Sequence, residues 1–226
     1  MKALLYKEFR LAMHPMCYVF VLLFPFMTLI PSFPLGVGFI YLLTAYPILF
    51  LGANKGQQSN DLLFSTLLPV RKKDIVLARI FTVIIMQLTY VLIMSALLPL
   101  AQLIQSSLAS TSSKAPQTPG FTVNASASLL GFGIIGFALA DLIFFPIYYK
   151  NGRSIVLSTL LTILGFVLYL AIFTLILPLA LEGYRSFFTD TPWIQWVFLG
   201  GAIALSAGLH LVTYHVAARR LERVDF

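Results

Sequence analysis

The chain has 226 residues, of which 59% are hydrophobic and 10% are charged, and its mean hydropathy is +0.92. Soluble domains carry about 25% charged residues, so these values exclude a soluble globular protein and indicate a polytopic membrane protein. The formal net charge of +7 does not indicate nucleic-acid binding, because the basic residues cluster in loops between apolar runs, as the positive-inside bias requires. The single cysteine, Cys17, excludes an internal disulfide.

The N-terminal residues 1–14 are predicted to form an amphipathic helix that lies in the inner membrane interface. Its apolar face at helical spacing carries Leu5, Phe9, Ala12 and Met13. Its opposite, basic face carries Lys7, Arg10 and His14. Pro15 separates this segment from the first apolar run. The alternative is a simple cytosolic extension of the first membrane span.

Hydropathy predicts six membrane spans, at about 16–31, 35–52, 75–104, 129–149, 155–181 and 193–217. The first two are short and meet at a turn, PSFP, whose two prolines would end a helix. The alternative is that the first two predicted spans form one long bent segment. The later loops would then change sides, and their Lys and Arg residues would no longer follow the positive-inside bias. The predicted fold class is therefore all-α, with a single transmembrane domain over residues 1–226.

The basic residues predict the orientation of the chain. Thirteen of the 15 Lys and Arg residues lie on the side that holds both termini, and only Lys114 and Arg185 lie on the other. This asymmetry predicts that both termini are cytoplasmic. The loop at 53–74 is then cytosolic, and the polar loop at 105–128 is extracellular.

No sequence motif indicates an active site. The glycines and lysine of GANKGQQS, residues 52–59, lack the GxxxxGK[ST] spacing of a phosphate-binding loop. HExxH, GxSxG and CxxC do not occur, and the three histidines lack metal-ligand spacing. The sequence therefore predicts no catalytic residue, no metal site and no cofactor held by this chain.

Three polar residues are predicted to lie inside the membrane. Gln87, Asp141 and His210 each lie eight or nine residues from a basic residue on the cytosolic side, which is about 12–14 Å along a helix. Burying the Asp141 carboxylate at this depth in the membrane is energetically costly, so this side chain would face a partner or a cavity. Asp141 could pair with His210 or Gln87, either tying helices together or lining a translocation path. Alternatively, each group could separately find backbone or water, and a proton relay is a further possibility.

The second cytosolic loop contains a short amphipathic helix. Asn60 and Asp61 are residue types that start helices. The apolar residues that follow are Leu62, Leu63, Phe64, Leu67 and Leu68. Pro69 ends the helix, and a basic cluster beginning at Arg71 and Lys72 then suits the anionic inner leaflet or an acidic partner.

Two stretches carry a family resemblance. Residues 61–79, DLLFSTLLPVRKKDIVLAR, resemble the cytosolic coupling segment of ABC-2 type transporter membrane subunits. Residues 145–155, FPIYYKNGRSI, resemble a second stretch of that family, at the cytosolic end of span four. The chain departs from the family pattern at residues 66–68 and at Asn151. Among ABC-2 proteins it is similar to the small permeases of phenol-soluble modulin peptide exporters.

The resemblance implies an ABC-2, type V exporter-like fold and a function. Such a subunit pairs with a second copy of itself or with a related permease, in a bacterial cytoplasmic membrane. Two cytosolic ABC ATPase subunits bind ATP and Mg²⁺, so this chain itself would not be an enzyme. No nucleic-acid partner is expected. The complex would export an amphipathic peptide or hydrophobic compound. The alternative is an ATPase-independent secondary transporter or a membrane assembly protein.

The resemblance also assigns the contacts with the ATPase. The main coupling helix would carry Asp61, Leu62, Leu63, Phe64, Leu67 and Leu68, followed by Arg71 and Lys72. A smaller contact would come from Lys150 and Arg153. The opposing interpretation is an amphipathic loop that lies on lipid.

Overall fold

A computed structural model describes residues 2–12, 15–29, 70–111, 127–151, 155–172 and 192–223. Within these ranges every regular element is a helix. The helices are α1 (Lys2–Lys7), α2 (Pro15–Leu23), α3 (Lys72–Thr111), α4 (Ala127–Asn151), α5 (Ile155–Ala171) and α6 (Pro192–Glu222). A π-helical turn at Glu8–Ala12 follows α1, and a 3₁₀ segment at Phe24–Leu29 extends α2.

Three of these helices are long and apolar enough to cross a membrane. They are the Lys72–Ile104 part of α3, the Ala127–Lys150 part of α4 and the Trp193–Glu222 part of α6. The N-terminal helix and α2 could supply a fourth span, although they are bent by 79° relative to each other. The apolar part of α5, Val156–Ala171, is shorter. The predicted span at 35–52 and the end of the predicted span at 155–181 lie outside the described residues.

The helices extend beyond the apolar runs that hydropathy identified. The third helix begins at Lys72 and ends at Thr111, whereas the predicted span covers 75–104, so parts of the predicted loops at 53–74 and 105–128 are helical. Asp74 lies in its first turn, where a carboxylate complements the helix dipole. Near its other end, the Ser107 hydroxyl donates to the Ile104 carbonyl at 2.9 Å. Hydropathy measures the apolar length, and a helix can continue into polar residues on either side.

The fourth helix lies at the centre of the described fold. It packs extensively against α6 and against α5, while α3 contacts the 3₁₀ segment, α6 and α4. Its Phe144 and Phe145 are completely buried. Two glycines permit close packing, because a Cβ at Gly131 would lie 2.7 Å from the Phe198 ring and one at Gly136 would lie 2.7 Å from the Phe166 ring. A side chain on the inner face of α4 is therefore enclosed by neighbouring helices.

Candidate functional site

Three helices meet at the carboxyl group of Asp141. This residue lies on α4 and its exposed fraction is 0%. The side-chain amide of Gln87, on α3, donates to Asp141 Oδ2 at 3.0 Å. The His210 Nε2 atom, on α6, lies 3.0 Å from the same oxygen. A single carboxylate oxygen thus connects the three long helices of the described fold.

The orientation of the His210 ring is set by its own helix. Its Nδ1 atom lies 2.7 Å from the carbonyl oxygen of Ser206, one turn earlier on α6. The Ser206 hydroxyl lies 3.3 Å from the same nitrogen and is buried. Sequence reasoning did not identify Ser206, although its position four residues before His210 was the available signal.

The structure brings together the three intramembrane residues that the sequence identified. Their shared depth predicted that they could meet, and the contacts show direct pairing, which was one of the two alternatives. The suggestion that they line a translocation path stays a prediction. Across the described ranges, no group of three or more His, Cys, Asp and Glu side chains could hold a metal ion. The Gln87, Asp141 and His210 side chains form a hydrogen-bonded contact between three helices.

A second buried polar group, which the sequence did not reveal, attaches the N-terminal segment to the bundle. The Arg79 Nε atom donates to Glu8 Oε2 at 3.0 Å, and Nη2 donates to Oε1 at 3.4 Å. The Tyr148 hydroxyl accepts from Arg79 Nη1 at 3.3 Å, and Lys7 Nζ lies 3.7 Å from Glu8 Oε1. All four residues are buried, and we call them the Glu8 cluster.

The Glu8 cluster changes two sequence-based interpretations. Arg79 counted among the basic residues of the cytosolic side, but it lies within α3 and is only 7% exposed. Lys7 was placed on the basic face of the N-terminal helix, opposite the apolar face, and it is buried beside Glu8. Lys7 lies three residues after Leu4 and next to Glu8, and all three are buried, so this face of the N-terminal helix packs against the bundle. The signal available in the sequence was Glu8 itself, the one acid in a basic segment.

The basic ends of three helices lie together. Lys73, in the first turn of α3, forms an ion pair with Glu222 at the end of α6, at 3.2 Å. Arg220 Nη1, also on α6, donates to the carbonyl of Pro146 on α4 at 2.7 Å. We call this part of the bundle the basic end. Lys73 and Arg220 therefore lie at the same end of the bundle, and the assignment of that end to the cytoplasm stays a prediction.

Three of the residues assigned to ATPase coupling lie at or near this end. Arg71 is exposed and directly precedes α3, Lys72 begins α3 and is partly exposed, and Lys150 is exposed in the last turn of α4. The remaining coupling residues lie outside the described part of the chain. They are Asp61, Leu62, Leu63, Phe64, Leu67, Leu68 and Arg153.

The long apolar helices, the enclosed polar contact and the clustered basic ends define a helical integral membrane protein. The chain matches the family described as ABC-2 family transporter protein over residues 3–221. It therefore belongs to the ABC-2 family of transporter membrane proteins. Membership implies a permease role, a membrane and an ABC ATPase partner. No curated protein and no solved structure matches the chain.

Proposed function

We propose that this protein is the membrane-spanning subunit of an ATP-driven exporter whose ATPase is a separate cytosolic protein. The observation that carries the proposal is the family match over residues 3–221. ATP and Mg²⁺ would bind to the partner, because the sequence lacks a phosphate-binding loop. The permease would convert movements of the ATPase into a rearrangement of its helices.

The geometry of the basic end supports a route for this coupling. The amphipathic segment 60–68 precedes α3 in the chain, and Arg71 lies exposed at the junction. A force on that segment would act on the start of α3. This helix contacts the N-terminal segment through Arg79 and contacts α4 through Gln87. A displacement of α3 would therefore reach the other described helices through buried polar contacts.

The remaining architecture follows from the same proposal. The permease would have six spans and an interfacial N-terminal helix, and the 79° bend between α1 and α2 suits a helix that lies along the membrane surface. It would pair with itself or a related permease and bind two ATPase subunits. The basic end would face the cytoplasm of a bacterial cell, since basic residues favour that side.

The proposed substrate is an amphipathic peptide or another hydrophobic compound. This part rests on the similarity to the small permeases of phenol-soluble modulin exporters. The competing function is an ATPase-independent secondary transporter or a membrane assembly protein. Secondary transporters commonly contain internal repeats and several intramembrane charges. The sequence shows no clear repeat and one acid deep in a predicted span.

Co-purification tests the proposed coupling. The tagged permease is purified from its native membranes, and associated proteins that contain a phosphate-binding loop are identified by mass spectrometry. We expect an ABC ATPase with the unmodified protein and its loss with Leu63→Asp or Leu67→Asp. Ser113→Asp is the matched control, because it adds one acid to the loop predicted on the opposite side.

The outcomes distinguish failure of the coupling-helix assignment from failure of ATP-driven export. Retention of the ATPase by both leucine variants would contradict the assignment of the coupling helix. Absence of any such ATPase from the unmodified protein would contradict ATP-driven export and favour the competing function. Loss of the ATPase in the Ser113→Asp control would show that an added charge disrupts the complex from either side.

A further inference from the structure

We propose that Asp141 and His210 hold one proton between them, which makes the contact of α3, α4 and α6 a proton-binding site. The proposal does not depend on ATP-driven export, because it follows from which atoms can donate a hydrogen bond. It concerns three groups: the two ring nitrogens of His210, the carboxyl of Asp141 and the amide of Gln87.

The Nδ1 atom of His210 contacts its own helix. It lies 2.7 Å from the carbonyl oxygen of Ser206. A backbone carbonyl can only accept a hydrogen bond, so the nitrogen at this distance carries the hydrogen. A neutral imidazole has one hydrogen, and the contact within α6 already places it on Nδ1. In a neutral ring, Nε2 would therefore present a lone pair.

The Nε2 atom of His210 contacts Asp141. It lies 3.0 Å from Asp141 Oδ2. An ionised carboxylate also presents only lone pairs, so a neutral His210 and an ionised Asp141 would place two acceptors in contact. One additional proton resolves this conflict. Either Nε2 carries it and donates to a carboxylate, or Oδ2 carries it and donates to a neutral ring.

Both arrangements have the same net charge. An imidazolium with a carboxylate and a neutral imidazole with a carboxylic acid each sum to zero. A net charge of zero is favourable for this pair, because Asp141 is 0% exposed and an uncompensated buried charge is costly. The Gln87 amide donates to the same oxygen at 3.0 Å. This bond forms in either arrangement, since Oδ2 keeps a lone pair when it is protonated.

Other ionisable groups lie on each helix that surrounds the pair, and those of α3 include Lys72, Lys73 and Asp74 at the basic end. The nearest cationic side chain along α3 is Arg79, which is bound to Glu8, and Tyr90 lies less than one turn beyond Gln87. The ionisable side chains of α2 and α5 are Cys17, Tyr18 and Tyr169. The further ionisable groups of α4 and α6 lie toward the basic end and are Tyr148, Tyr149, Lys150, Tyr214, His215, Arg219, Arg220 and Glu222.

The proton is therefore a ligand of the helix contact. Its removal would leave a buried carboxylate facing a ring lone pair, so the hydrogen bond between Asp141 and His210 would be lost and the packing of α4 against α6 weakened. This hydrogen bond is expected at neutral pH and is expected to be lost as alkaline pH withdraws the proton. Asp141→Asn removes this dependence, because the asparagine amide can donate to Nε2 of a neutral ring.

Magnetic resonance of a single-histidine protein tests the proton count. The chain has three histidines, so His14→Gln with His215→Gln leaves His210 alone. The ¹⁵N signals of its ring and the ¹³C carboxyl signals of aspartate, with Asp141→Asn identifying that of residue 141, are recorded in lipid nanodiscs at neutral pH. A doubly protonated ring with an ionised carboxylate supports the proposal, and so does an Nδ1-protonated ring with a protonated carboxyl. A singly protonated ring beside an ionised Asp141 overturns it.

Thermal unfolding of the full chain with all three histidines provides a second measurement. As the pH rises above neutral, the wild-type Tm is expected to fall by more than that of Asp141→Asn, because only the wild type loses the shared proton. Equal pH dependence of Tm in the two proteins would overturn the proposal. The comparison stays informative if the single-histidine variant does not fold.

Discussion

The Glu8 cluster yields a prediction whose size follows from burial. Glu8 is 3% exposed and Arg79 is 7% exposed, and two hydrogen bonds join them. Glu8→Ala would leave the guanidinium buried without its carboxylate. Removing one partner of a buried ion pair costs about 3–5 kcal/mol. Since each 1.4 kcal/mol corresponds to a factor of ten, release of the N-terminal segment should become roughly 10²- to 4 × 10³-fold more favourable.

Thiol labelling measures this release directly. Leu4 is 6% exposed, so Leu4→Cys in a Cys17→Ala background gives one buried thiol on the N-terminal segment. We expect slow reaction with a polar maleimide when Glu8 is present and faster reaction in Glu8→Ala. The acceleration should approach the change in the opening equilibrium, provided that closing is faster than labelling.

Glu222→Ala is the matched control, because it removes an exposed ion pair at the same end of the bundle. Lys73 and Glu222 are 3.2 Å apart, with side chains 52% and 44% exposed. An exposed pair contributes only about 0–1 kcal/mol. Equal labelling rates in Glu8→Ala and Glu222→Ala would refute the reasoning from burial. Glu8→Met with Arg79→Met should restore slow labelling, because apolar replacement of both partners removes the unpaired charge.

Two further predictions concern helix packing. Gly136→Ala should destabilise the contact of α4 with α5 by about 1–3 kcal/mol, because the new Cβ would lie 2.7 Å from the Phe166 ring, and thermal unfolding in detergent measures this. Arg220→Ala should cost about 1.5 kcal/mol, since it removes the bond from Nη1 to the Pro146 carbonyl, and the same unfolding measurement applies.

Each packing prediction has a control on the same helix. Gly133→Ala meets nothing within 4 Å, so it should be neutral or stabilise α4 by up to about 1 kcal/mol. A lower Tm for Gly133→Ala than for Gly136→Ala would contradict the steric argument. Arg219 is exposed, and Arg219→Ala should change stability by less than about 0.5 kcal/mol. A loss as large as that of Arg220→Ala would indicate an effect of charge alone.

Much of the intramembrane contact could be predicted from sequence. The cost of an acid in an apolar span marked Asp141, and the helical rise placed Gln87 and His210 at the same depth. Depth fixes one coordinate of each residue. The direction in which each side chain points is set by the rotation of its helix about the helix axis. That rotation depends on packing, in which small residues such as Gly131 and Gly136 leave room for aromatic rings of neighbouring helices.

The Glu8 cluster could not be predicted in the same way. Glu8 and Arg79 are 71 positions apart, and each has an ordinary local explanation as a charged residue near a membrane surface. Only the packing of the N-terminal segment against α3 brings their side chains together. Lys7 is also buried beside Glu8, which the spacing of apolar residues along the N-terminal segment does not reveal.

The sequence by itself determined the membrane class and the resemblance to ABC-2 subunits. These properties depend on composition, on the length of the apolar runs and on the order of the residues, all of which can be read from the sequence without a structure. Tertiary structure alone decided that Asp141 bonds to both Gln87 and His210, and that Arg79 is an internal cation bound to Glu8. Hydrogen bonds require atoms within about 3 Å at suitable angles, and that condition is met only when the helices are packed.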